Sequence, residues 1–107
     1  MDKDILKKIR AGNFVENNGR VLRTINIIRY NFIQLKGLRH ALPDMLESEI
    51  LDSVNFLSEE GYISLRRVTG HIESTLADAD FRELEAKLTG KGIRLLSFEI
   101  KDPSVAV

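Results

Sequence analysis

Cysteine is absent from this 107-residue chain. That absence excludes disulfides, thiolate metal sites and cysteine nucleophiles, and it suits a reducing cytoplasm. No apolar run approaches the length of a membrane span, so no membrane partner is expected. The opening residues MDKDILKKIR are charged and hold no apolar signal core, which points away from secretion. Repeats, low-complexity tracts and long Pro/Gly/Ser linkers are missing as well. What remains fits one domain, and 43% hydrophobic residues suffice for one modest core.

Catalytic signatures are also missing. His40 and His71 stand alone, without ligand-type partners at helical spacing. Asp78 and Asp80 lack the glycine and distal glutamate of a calcium loop, and a solvated turn is the simpler reading. Gly90 and Gly92 do not have P-loop spacing. The expectation is therefore a non-enzyme with no catalytic residue, no metal and no cofactor.

Net charge is zero, but it is unevenly spread. Residues 1–40 carry nine Lys/Arg against three Asp/Glu, residues 41–64 carry six acids and no base, and the remainder balances. A basic nucleic-acid footprint can therefore be only local.

The apolar spacing divides the chain into elements. Asp2 is placed to cap a short helix with Ile5, Leu6 and Ile9 on one face and Gly12 at its end. FVENNG reads as a connection, with Asn17 or Asn18 capping a second helix over 19–30. There Val21, Leu22, Ile25 and Ile28 face the core. NFIQ reads as a short extended piece. Residues 35–42 form a helix stopped by Pro43. Asp44 can cap a helix over 45–60, whose stripe is Leu46, Ile50, Leu51, Val54 and Leu57 and which ends at Gly61. YISLRRV alternates as a strand, and EAKLT pairs back with it as a ribbon. Segment 69–83 stays open between strand extension and helical turn. Thr89 then caps a closing helix, GKGIRLLSF, before a tail.

The stretches FLSEEGYISLRR and KLTGKGIRLL resemble the winged-helix regulators of the multiple-antibiotic-resistance type over roughly residues 20–96. LADADFRELEAKLTGKGIRLL also resembles small proteins of Mu-like phages and prophages, which implies a mobile-element origin and no particular activity. The implied fold is mainly α with a small β-ribbon: a winged helix-turn-helix, three core helices plus a wing, with flanking N- and C-terminal helices. Residues 1–17 would be the N-terminal helix and connection, 18–97 the core and wing, and 98–107 the tail.

The resemblance implies a cytoplasmic DNA-binding or transcription-regulating module on double-stranded DNA. Helix 45–60 would enter the major groove, with Ser48, Ser53 and Asn55 able to read base edges. Arg66 and Arg67 would meet phosphates from the wing, Lys36 and Arg39 would hold the backbone, and Arg20 and Arg23 would add to the footprint. Helix 45–60 departs from this pattern, because it holds no Lys or Arg and its Glu49, Asp52 and Glu59 would repel phosphate. The alternative is a protein-interaction module using Asp52, Phe56 and Glu59 against a basic partner. Phe56, Ile27 and Tyr30 all fall on outward faces. The reading adopted is that a flanking helix folds over them. The N-terminal helix is expected to pack on its own domain, with pairing in a homodimer or lying on nucleic acid as the alternatives, and the closing helix allows either dimerisation or packing within the chain.

Overall fold

A computed structural model describes residues 3–107. The expected Asp2 cap lies outside the described residues. The chain begins with one helix, α1 (Lys3–Asn26), not two. Gly12 and the NNG stretch do not break it. Local propensity favours a break at both places, and at Asn17 and Asn18 tertiary contacts hold the helix together. Asn17 Nδ2 donates to Glu49 Oε2 at 3.3 Å, and Asn18 Nδ2 donates to the Ser104 carbonyl at 2.9 Å. Neither asparagine is a cap, and the expected boundary at 17/18 falls inside the helix.

After a turn, β1 (Ile33–Gln34) leads into α2 (Leu35–Ala41) and α3 (Glu47–Glu59). Asp44 does not cap α3. Its carboxylate instead takes a two-pronged bond from Arg20, at 2.8 Å for each nitrogen. The first turn of α3 is closed from inside, as the Leu46 N–H donates to Glu49 Oε1 at 2.8 Å. Leu46 therefore precedes the helix and is 67% exposed rather than part of the core stripe. Gly61 ends α3 with φ of 80°, a left-handed conformation that costs glycine little.

Strands β2 (Ile63–Arg67) and β3 (Leu84–Leu88) form the expected ribbon. A third strand joins it. β1 pairs antiparallel with β3 through Ile33↔Ala86, so the sheet order is β1-β3-β2. Between β2 and β3 the chain folds back on itself. Gly70 and His71 both take positive φ, and Arg66 forms an isolated antiparallel bridge with Glu73. A 3₁₀ turn at Phe81–Glu83 follows, capped by Asp80, whose side chain accepts from the Arg82 N–H. Segment 69–83 thus contains both a strand-like return and a helical turn. Helix α4 (Gly90–Leu96) starts as expected, with Thr89 Oγ1 accepting from the Gly92 N–H at 3.1 Å.

The core lies between the helices and the inner face of the sheet. Val21, Leu22 and Ile25 of α1, Leu35 and Leu38 of α2, and Ile50, Val54 and Leu57 of α3 meet Ile63, Leu65, Leu84 and Ala86. Each Val, Leu or Ile among them contributes about 1.5–3 kcal/mol on burial. Leu95 of α4 is buried in the same cluster, so the closing helix packs within the chain. The tail packs too: Val105 is buried, and the Ala106 N–H donates to the Val15 carbonyl.

Phe56 is half-buried and meets Phe14 edge to face, ring centres 5.3 Å apart. The expected cover by a flanking helix is observed there. It is not observed for Ile27 and Tyr30, which are 79% and 83% exposed in the turn after α1. Ile28 is also exposed, because the helix ends before it.

Candidate nucleic-acid interface

Six cations were expected to converge on a phosphate backbone, and the structure divides them into two groups. Arg20, Arg23 and Arg66 hold the fold together. Arg20 grips Asp44, and that hydrogen bond holds the Asp44 carboxyl below the usual carboxylate range. Arg23 Nη1 donates to the Ala106 carbonyl at 2.6 Å, tying the tail to α1. Arg66 lies on the outer face of the sheet, where its Nε donates to Glu85 Oε1 at 2.6 Å. The Glu85 side chain is only 10% exposed there. A carboxylate so buried needs a partner, and Arg66 is the nearest, with His71 Nε2 at 3.9 Å.

Lys36, Arg39 and Arg67 form the second group. They line two adjoining clefts between α2, the end of β2 and the 3₁₀ turn. A fourth cation, Arg82, belongs to both clefts, as does Lys36. The two linings together hold these four cations, His40 and a single carboxylate, Glu83.

Three of the four cations already have ion-pair partners. Arg39 reaches Glu47 at 2.8 Å, Arg67 reaches Glu83 at 3.4 Å, and Arg82 reaches Asp80 at 3.1 Å. The Arg82 hydrogen bond lowers the Asp80 pKa. All these side chains remain well exposed. Such pairs contribute about 0–1 kcal/mol each, and a phosphate can compete for the cation. Lys36 is exposed at the junction of the clefts.

Arg82 was not among the residues singled out from sequence. Its signal was the D-x-R spacing of Asp80 and Arg82 at the start of a short turn. The direction of that turn depends on how 69–80 folds back, and composition does not encode it.

The exposed face of α3 is different. Ser48, Asp52, Asn55 and Glu59 are exposed and α3 itself carries no cation, although Arg10 of α1 shares a cleft with Asp52. Ser53 is wholly buried, and its hydroxyl finds no partner among the described residues, so it is closed to a base edge. Phe56 packs on Phe14 and is no free docking anchor. A cleft beside the end of α3 continues the acidic character, with Glu59, Glu73 and Asp78 in its lining and no Lys or Arg.

No protein-family model matches the chain. No curated protein and no solved structure matches it either. No helix is long and apolar enough to cross a membrane, and no metal-holding group of His, Asp or Glu occurs among the described residues.

Proposed function

We propose that the chain is a winged helix-turn-helix domain that binds double-stranded DNA through the α2 side of its wing. The order of elements supports the fold. A long helix leads to a short strand, two helices follow, and a ribbon closes a sheet of order β1-β3-β2. The connection 68–83 then stands where a wing stands. The observation that carries the function is the cluster of Lys36, Arg39, Arg67 and Arg82 around two joined clefts. Their charges suit the phosphodiester backbone, which sets affinity without reading sequence.

In this reading α3 does not enter the major groove. Asp52 and Glu59 on its exposed face would meet phosphate as like charges. A mobile-element origin and a role in transcription regulation form the wider setting of the proposal.

The test is fluorescence anisotropy of a labelled mixed-sequence duplex at several salt concentrations. Binding should weaken steeply with salt. The pair Lys36→Ala and Arg82→Ala should reduce the salt slope by about 1 per side chain removed. An unchanged slope, or no binding at low salt, would overturn the reading.

The acidic surface supports a second reading, in which Asp52, Glu59 and the cleft holding Glu73 and Asp78 receive a basic protein segment. Under it, Glu59→Gln with Asp78→Asn should abolish capture of a lysine-rich probe peptide without weakening the DNA titration.

A further inference from the structure

The first half of α1 stands out from the body. Residues 3–13 are exposed along their whole length, and the molecule extends 48 Å in its longest direction against 31 and 22 Å in the others. Ile5, Leu6 and Ile9 are 49%, 37% and 47% exposed. Each stands sixteen positions before a fully buried residue of the same helix: Val21, Leu22 and Ile25. At about 100° per residue, sixteen positions turn a helix by roughly 160°. The exposed stripe therefore faces away from the body that buries the other end of α1. Because α1 is continuous, this chain cannot turn the stripe inward without breaking the helix.

The charges along the same helix are also polarised. Lys3, Lys7, Lys8 and Arg10 make the exposed end basic. Glu16 follows, and Glu49 and Asp52 of α3 lie beside the next turns, where they line one cleft with Arg10, Asn13 and Asn17. Gly12 lies between the two charged regions, seven positions after Ile5 and three after Ile9, on the stripe face. A Cβ added there would meet nothing within 4 Å. A glycine inside an exposed helix costs about 1 kcal/mol relative to alanine. Nothing among the described residues repays that cost, whereas a close backbone approach by another helix would.

We propose that a second copy of this chain covers the stripe, with the two α1 helices crossing antiparallel at Gly12. In that arrangement Ile9 of each copy packs beside Gly12 of the other. The basic end of each helix runs along Glu16 of the other copy, with Lys8 facing Glu16. The seam is self-complementary, as a two-fold interface requires. A short helix with no tertiary cover is marginal in water, and the second copy supplies that cover. The inference is independent of the DNA reading.

Sedimentation equilibrium over a range of protein concentrations tests it, on the full chain and on variants at exposed positions. The wild type should be a dimer. Ile9→Asp and Gly12→Leu should each raise the dimer dissociation constant by at least about tenfold. Lys8→Glu should weaken it, and adding Glu16→Lys to that variant should restore it. Far-UV circular dichroism should show each variant folded, with Gly12→Leu retaining or gaining helix. A wild type that stays monomeric at the highest soluble concentration would overturn the proposal. So would a dimer indifferent to Ile9→Asp and Gly12→Leu, and a charge reversal that fails to rescue would overturn the antiparallel register.

Discussion

The guanidinium carbon of Arg66 lies 3.6 Å from the centre of the Phe32 ring. The same side chain donates to Glu85, so an aromatic ring and a buried carboxylate hold one cation against the outer face of the sheet. Arg67, the next residue, points to the clefts on the α2 side. Two adjacent arginines on one strand therefore have different tasks, because successive side chains of a strand point to opposite faces.

Arg66→Ala and Arg67→Ala should separate accordingly. Among the described residues, Arg66→Ala leaves Glu85 with only the more distant His71, at 3.9 Å, and should lower stability by about 1–3 kcal/mol in urea unfolding. Arg67→Ala should leave stability within about 0.5 kcal/mol and weaken DNA binding instead. Equal loss of stability in both variants would contradict this division.

Phe14 and Phe56 join α1 to α3. Each single change to alanine should destabilise the fold. A double-mutant cycle should give a coupling of about 0.5–1.5 kcal/mol, the range for an edge-to-face pair beyond its buried area. A coupling near zero would mean that the two rings do not meet.

Tyr62 donates its hydroxyl proton to Asp102 at 2.6 Å. Burial first, and that bond second, push the hydroxyl pKa from 10.0 to about 12. The folded state thus holds the proton more tightly than the unfolded chain does. Its contribution to stability is full below pH 10.0 and is lost as pH rises towards about 12. Relative to Tyr62→Phe, the wild type should lose about 1–2 kcal/mol across that window, measured by urea unfolding at each pH. Parallel pH profiles for the two proteins would contradict the assignment.

Gly19 and Gly92 sit where a Cβ would overlap a carbonyl, that of Ala106 for Gly19 and that of Tyr62 for Gly92. Gly19→Ala should displace the tail from α1 and cost about 1–3 kcal/mol, although alanine is the better helix former. Hydrogen exchange of the Ala106 amide, which bonds the Val15 carbonyl, should quicken. Slow exchange in the variant would show that the tail is not held there.

Particular residues show how much of this was legible in the sequence. The Thr89 cap, the Gly61 stop and the buried stripe Ile50–Val54–Leu57 follow from local rules, because spacing and capping chemistry act within a few residues. Asn17 and Asn18 misled because local propensity favours a break, while the contacts that override it come from α3 and from residues 104–106; at Gly12 the helix simply continues, with no such contact beside it among the described residues. The candidate site was legible only in part. Lys36, Arg39 and Arg67 were marked by charge and position. Arg66 and Ser53 have the right chemistry, but a partner or burial draws them inward, and Arg20 and Arg23 bond within the chain beside a separate cleft with Thr24 and Ile27. Such partners lie up to 83 residues away, as for Arg23 and Ala106, and no local pattern records them.

The most direct test of the proposed DNA-binding face is a ¹H–¹⁵N correlation titration of the protein with a short duplex at low salt. The account predicts shifts and broadening at the amides of residues 34–40, 67–69 and 81–83, with residues 48–59 of α3 unmoved. Shifts concentrated on α3, or none anywhere, would contradict it.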